Sequence, residues 1–228
     1  MFTSFEAEIF LMSAPLAVEP GWQSRLRTAP QQPRSQAKIS QAVDAADRLL
    51  ARDGANGVTT TRVATEAGIA VGTLYRYFPD KEALFDALAA RCLARFESLM
   101  DDLVTRAGAE KWTDPVGTLF DVYAELYRTD ASLRAIWFGG LLSENLREAD
   151  RAHKRVMAEG LRQILIAQGI AADAPELATV CHAAMLASDA ITQEAFRNSD
   201  SGDEALMAEA KTMLRSYVDS INTRFKPA

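Results

Sequence analysis

From Ser35 onward the apolar residues return every three or four positions and nowhere alternate one by one, a spacing that fills one face of a helix and leaves nothing for a sheet. Ile39, Val43, Ala46 and Leu50 open the pattern, and Gly54 follows as a left-handed stop for the first helix. Thr60 is positioned to cap a short second helix, Thr61 to Ala67, that ends at Gly68. A third short helix, Val71 to Phe78, must stop before Pro79, and Asp80 then caps a long fourth with Glu82 in its first turn. Leu84, Leu88, Phe96, Leu99 and Leu103 give that fourth helix a continuous apolar stripe. Further helices are predicted over 114–129, 131–139, 144–168, 174–198 and 203–224, punctuated by Asp130, Gly139-Gly140, Gly169 and Ser199 to Gly202. The chain reads as all-α.

Charge divides the chain. The net value is −6, which taken alone repels a phosphate backbone. Residues 1–24 hold no bases and three acids, residues 25–95 eleven and seven, and residues 96–228 fourteen and twenty-one. A basic head therefore sits on an acidic body, as suits a nucleic-acid reader with a separate second domain.

Other classes find little support. Gly-rich phosphate loops, His-Glu-x-x-His, Gly-x-Ser-x-Gly and clustered catalytic carboxylates are all missing from the sequence, so no enzymatic activity and no cofactor or metal is expected. Cys92 and Cys181 lack the neighbours a zinc site needs and read as buried thiols of a reducing cytoplasm. Met1 to Phe10 carries no Lys or Arg, unlike a secretory signal, and no apolar run reaches membrane-span length. Residues 1–34, with Pro15, Pro20, Pro30 and Pro33 and no sustained period, read as a flexible arm, and Met12 offers a second start. Arg25, Arg27 and Arg34 could enter a minor groove, or the arm could be a solvated tail.

The segment Thr60-Thr61-Arg62-Val63-Ala64-Thr65-Glu66-Ala67-Gly68-Ile69-Ala70-Val71-Gly72-Thr73-Leu74-Tyr75-Arg76-Tyr77-Phe78 carries the chemistry. Two short helices cross closely only if the contact residue is small and the turn residue tolerates positive φ, and Ala64 and Gly68 meet those demands. Val63, Ala67, Ile69 and Leu74 then face inward, with Phe78 in the core. Arg62, Thr73, Tyr75, Arg76 and Tyr77 project outward. Hydroxyls, aromatics and arginine exposed together match a DNA major groove better than core packing. A helix this short presents only its first residues to base edges, so Val71, Gly72 and Thr73 are the direct readers, Gly72 by close backbone approach. Tyr75 and Tyr77 can donate to phosphates, although Tyr77 could equally pack between the third and fourth helices. Arg76 is a phosphate contact or a solvated charge. Lys81 adds charge to the start of the fourth helix, Thr60 and Thr61 can clamp the opposite backbone, and Arg62 is long enough to reach a guanine edge.

The pattern Thr-Thr-Arg-x-x-Ala-x-x-Ala-Gly-x-x-x-Gly-Thr-Leu-Tyr-x-Tyr-Phe-x-x-Lys-x-x-Leu resembles the signature of the TetR (tetracycline repressor) family over residues 36–96. The resemblance implies an N-terminal three-helix DNA-binding domain over 36–96 and a larger helical domain over 97–228 for ligand binding and dimerisation. It also implies that Thr60, Thr61, Arg62, Thr73, Tyr75, Tyr77 and Lys81 occupy the family's DNA-contacting positions. Homodimers on palindromic double-stranded operators, released by a small molecule, are the implied mode of action. Val71 departs from the usual polar residue before Gly72, which exchanges a hydrogen bond for contact with a thymine methyl.

The second domain is less legible. Helices 174–198 and 203–224 are the dimer candidates, the first with Ala183, Ala184, Ala187 and Ser188 permitting close approach. An intramolecular pair is the alternative. Phe120, Tyr123, Tyr127, Trp137, Phe138, Met157, His182 and Met185 are candidates for a mostly apolar ligand pocket, or for plain core. His153, beside Arg151, reads as lying on a solvated face. A rival reading keeps the DNA head but has the body bind a protein partner in place of a small molecule.

Overall fold

The structure, a computed structural model, describes residues 33–141 and 143–227. The proposed minor-groove residues Arg25 and Arg27 lie outside them, whereas Arg34 lies in the first helix. Among the described residues there are nine α-helices and no strand. In chain order they are α1 (Pro33–Gly57), α2 (Thr60–Glu66), α3 (Val71–Tyr77), α4 (Lys81–Ala109), α5 (Pro115–Thr129), α6 (Ala131–Phe138), α7 (Glu144–Ala167), α8 (Pro175–Phe196) and α9 (Glu204–Arg224). None is long and apolar enough to cross a membrane.

The punctuation residues act as their chemistry dictates. Gly54, Gly68, Gly140, Gly169 and Gly202 are the described residues with positive φ: Gly54 breaks α1 from within, Gly68, Gly140 and Gly169 follow the ends of α2, α6 and α7, and Gly202 lies just before α9. Asp80, Asp130 and Asp203 cap α4, α6 and α9 by accepting the backbone N–H of Ala83, Leu133 and Leu206 at 2.8, 2.8 and 3.0 Å. One cap differs from expectation. Thr59, not Thr60, caps α2, its hydroxyl accepting from the Arg62 N–H at 3.2 Å, so Thr60 is the first helical residue.

The helices form two compact units. The first comprises α1, α2, α3 and the start of α4 up to Ala94, together with Thr129–Arg147, which carries α6. Its core contains Leu49, Leu50, Leu74, Phe78, Leu84, Phe85 and Leu88. α6 packs on α1, where the buried Ser132 hydroxyl donates to the Asp47 carbonyl at 3.2 Å. Arg91 of α4 bridges Asp44, at 2.6 Å, and Asp47 of α1. The first unit runs to Ala94, and the return of 129–147 to it has no local signature. The apolar pattern of Ile136, Trp137 and Phe138 says that α6 is covered without saying by what.

Asp86 is the poorly satisfied polar group of this unit. Its Oδ1 is sealed without a hydrogen-bond partner among the described residues, and burial raises its carboxyl above the usual range despite a hydrogen bond from Ser143. A folded-state value above the unfolded one favours folding while the group is protonated, and that advantage is lost as pH rises through the folded value. Asp86→Asn should therefore raise the urea midpoint at pH 7. The gain should vanish below about pH 3.9, the ordinary aspartate value, in paired urea titrations.

The second unit comprises the remainder of α4, α5 up to Arg128, α7 from Glu148, α8 and α9. Phe96 stacks on Tyr123 with centroids 5.6 Å apart, and Tyr127 stacks on Phe196 at 5.5 Å. Leu165, Leu177, Cys181 and Ile221 form a further buried cluster. His153 is a correction to the sequence reading: it is only 7% exposed, with Nδ1 3.0 Å from a Glu97 carboxylate oxygen and its ring against Phe96. Leu146, His153, Met157 and Ile164 are all buried on α7 at seven- and four-residue steps, so the stripe contained the signal that the flanking charges masked.

Candidate nucleic-acid interface and effector cavity

The α2–α3 pair is held by very few side chains. Val63 and Ala64 are the buried residues of α2, and Leu74 is the buried residue of α3. Ala64 is fully buried, as a close crossing requires. Gly68, at φ +65°, reverses the chain so that the Ile69 N–H reaches back to the Ala64 carbonyl at 3.0 Å. With so small an anchored face, the rest of α3 is left outside. Val71 is 37% and Tyr75 49% exposed, Gly72 and Arg76 are exposed, and Thr73 and Tyr77 are half-buried.

The outward groups are arranged rather than scattered. The Thr60 and Tyr75 hydroxyls lie 3.0 Å apart, joining the start of α2 to the middle of α3, and Thr61 stands exposed beside them. The Arg76 guanidinium lies 5.5 Å from the Tyr77 ring centroid, which gives Tyr77 a stacked partner. Lys81 is exposed at the first position of α4. Arg62 is exposed on α2, but its guanidinium is engaged within the protein. Its Nη1 donates to the Gly57 carbonyl at 2.6 Å and its Nη2 pairs with the Asp53 carboxylate.

In the second unit an apolar cavity with about 530 Å³ of unfilled space, open mouth included, is lined by Met100, Val116, Leu119, Phe120, Tyr123, Leu161, Ala184, Met185, Ser188, Leu214 and Val218. Phe120, Tyr123 and Met185 belong to the expected pocket set; Tyr127, Met157 and His182 lie in the same unit without lining the cavity. Met157 is wholly buried, and its sulfur is 3.8 Å from the Tyr123 hydroxyl. Trp137 and Phe138 belong to the first unit.

Among the described residues, no charged side chain lines this cavity. The charges near it in sequence are satisfied elsewhere: Lys154 sits 2.8 Å from both Asp150 and Asp189, and Asp189 also accepts from Gln193 at 2.9 Å. Burial alone would lower the Lys154 ammonium, but the attraction of Asp189 and the hydrogen bonds to both carboxylates more than offset it and hold the group charged. Lys211 pairs with Asp121, and Arg215 with Asp114 at 2.6 Å. Tyr123 and Ser188 are the wall's polar side chains, and burial pushes the Tyr123 hydroxyl far above its ordinary range, so it remains a neutral donor. Sequence reasoning missed Met100, Leu119 and Leu214, whose helical spacing is that of ordinary core.

Comparison with known proteins matches both units. The family model described as "Bacterial regulatory proteins, tetR family" matches residues 42–88, and "Tetracyclin repressor-like, C-terminal domain" matches residues 110–220. An uncharacterized HTH-type transcriptional regulator of Haemophilus influenzae is 31% identical over 105 residues, 46% of this chain and 47% of that protein. The class D tetracycline repressor protein of Escherichia coli is 41% identical over 70 residues, 31% of this chain and 30% of that protein. The chain thus spans about half the length of the first and under a third of the second. A TetR-family transcriptional regulator from Streptomyces coelicolor has a similar solved structure, with 29% identity and a TM-score of 0.59, covering 81% of this chain and 99% of that one.

Proposed function

This chain is a member of the TetR family of bacterial regulatory proteins, and on that premise we propose that it is a repressor whose dimer holds a palindromic operator through α2 and α3 and is released by an uncharged, apolar small molecule. The observation that carries the reading is the exposed face of α3, where Val71, Gly72 and Thr73 stand at the leading end and Tyr75 is joined to Thr60. Aromatic and aliphatic side chains left in water on a helix anchored by one leucine are poorly explained as folding determinants.

The division of labour follows from reach. Val71, Gly72 and Thr73 read base edges, with Val71 against a thymine methyl. Thr60, Thr61, Tyr75, Tyr77, Arg76 and Lys81 hold phosphates and set register. Leu186 on α8 and Met213 on α9 are 45% and 44% exposed, which suits the two helices expected to join a second copy. An operator reader works in the cytoplasm, and its part is binding rather than catalysis.

Release requires a ligand that favours one dimer arrangement over another. The cavity favours a neutral molecule because an ion placed against that wall would lose its hydration and gain no counter-charge. α4 continues from the first unit into the second and is the covalent route for the signal.

Selection of bound duplexes from a random pool tests the reading. A palindrome with half-sites about one DNA turn apart, roughly 34–36 Å, is expected. Thr73→Ala should then weaken discrimination at one or two base pairs by about 1–3 kcal/mol while leaving the rest of the profile intact. Failure to retain any duplex at low ionic strength would overturn the assignment.

A further inference from the structure

Arg62 closes a corner. α1 is interrupted at Gly54, where φ is +68°, and runs on to Gly57; only Val58 and Thr59 separate it from α2. A helix end leaves carbonyls without intrahelical donors. Here the Gly57 carbonyl receives the Arg62 Nη1 at 2.6 Å, and Nη2 of the same guanidinium pairs with Asp53 on the other side of the Gly54 break. The Arg62 backbone N–H is used as well, given to the Thr59 hydroxyl that caps α2. One residue thus fastens the end of α1 and the start of α2.

Gly57 completes the device. A Cβ at that position would come within 2.2 Å of the Asp53 Cβ and 3.2 Å of the Arg62 Nη1, so any other residue collides with the bracket. Asp53 is also held by Arg52, whose Nε and Nη2 reach it at 3.0 and 3.1 Å. The pairing with Arg52 first, and then with Arg62, keeps its carboxyl below the usual range and ionised. Nη1 and Nη2 of Arg62 each hold one partner within the protein although the side chain is 45% exposed, and a guanine edge taken in the same fork geometry would compete with that bracket.

We infer that Arg62 is a positioning residue, which with Asp53 and Gly57 sets the angle at which α2 leaves α1, and that it does not read a base. The inference rests on the proposed DNA binding for its specificity readout and on stability for an independent one. In the bracket, Arg62 fixes where Thr60 and Thr61 stand, and through the Thr60–Tyr75 contact it steadies α3.

The test uses Arg62→Ala, Asp53→Ala, the double variant, Gly57→Ala and Arg62→Lys in the full chain. Operator affinity is measured against the selected duplex and a set carrying every single base-pair change. Arg62→Ala, Asp53→Ala and Gly57→Ala should each weaken binding roughly three- to tenfold on every duplex, with base preferences unchanged. The double variant should be no weaker than Arg62→Ala alone, and Arg62→Lys should recover part of the loss, since an ammonium can serve one partner but not fork to two. Loss of preference at a single guanine in Arg62→Ala, with Asp53→Ala neutral or tighter, would overturn the inference and make Arg62 a reader. Urea unfolding of the same variants decides the point even without a duplex: non-additive losses for residues 53 and 62 support the bracket, and additive ones overturn it.

Discussion

Leu74→Ala should cost about 2–5 kcal/mol in urea unfolding and abolish operator retention. Leu74 is fully buried and is the one buried residue of α3. A seven-residue helix has almost no stability of its own, since nucleation is costly and few hydrogen bonds repay it. Removing its anchor therefore leaves α3 without a defined pose, even where the remainder of the unit stays folded. The contrast with Thr73→Ala is informative, because the two residues are adjacent. Truncating the half-buried threonine should alter base preference with little change in the urea midpoint, whereas truncating the leucine should lower affinity for every sequence. Equal loss of discrimination and stability in both variants would mean that α3 is a packing element and not a reading head.

Gly160→Leu should produce a protein that binds its operator but no longer responds to small molecules. Gly160 is buried in α7, and a Cβ there would fall 2.3 Å from the Met100 Cγ and 2.6 Å from its sulfur. Met100 lines the cavity of the second unit. Any side chain at 160 must push it, and the open volume is the place that can receive it. Overpacking of this kind costs about 1–3 kcal/mol, which a helical unit with several buried clusters can bear. A ligand displaced from its pocket loses tenfold in affinity for every roughly 1.4 kcal/mol of contact removed. The measurement is a thermal-shift series with uncharged apolar compounds and their charged analogues, run on wild type and on Gly160→Leu, followed by operator release with any compound that stabilises wild type. Stabilisation of wild type by neutral compounds alone, lost in the variant, is the expected pattern. Equal stabilisation of the two proteins would place the effector elsewhere, and no stabilisation of wild type beside a copurifying protein would favour a protein signal.

The two variants separate the parts of the switch. One removes the pose of the reading helix and the other removes the cavity. A repressor governed by coupled equilibria should lose operator affinity in the first and only ligand sensitivity in the second.

What was legible in the sequence is what depends on near neighbours along the chain. Helix bounds over 114–129, 131–139, 144–168, 174–198 and 203–224 agree with α5 to α9 within two residues, because a 3.6-residue period and a left-handed glycine are local facts. The crossing of α2 and α3 was equally readable, since Ala64 and Gly68 are separated by four residues and their geometry leaves the fold few choices. Tertiary structure alone decided the partners. That α6 covers α1, that His153 meets Glu97 across 56 residues, that Met100 and Leu214 share a cavity wall, and that Arg62 turns back to Asp53 all depend on which helix faces which. A side-chain period fixes the face a helix must bury; apolar faces are interchangeable to first order, so the choice among them is made by shape and by the few polar groups that must be paired when the faces close.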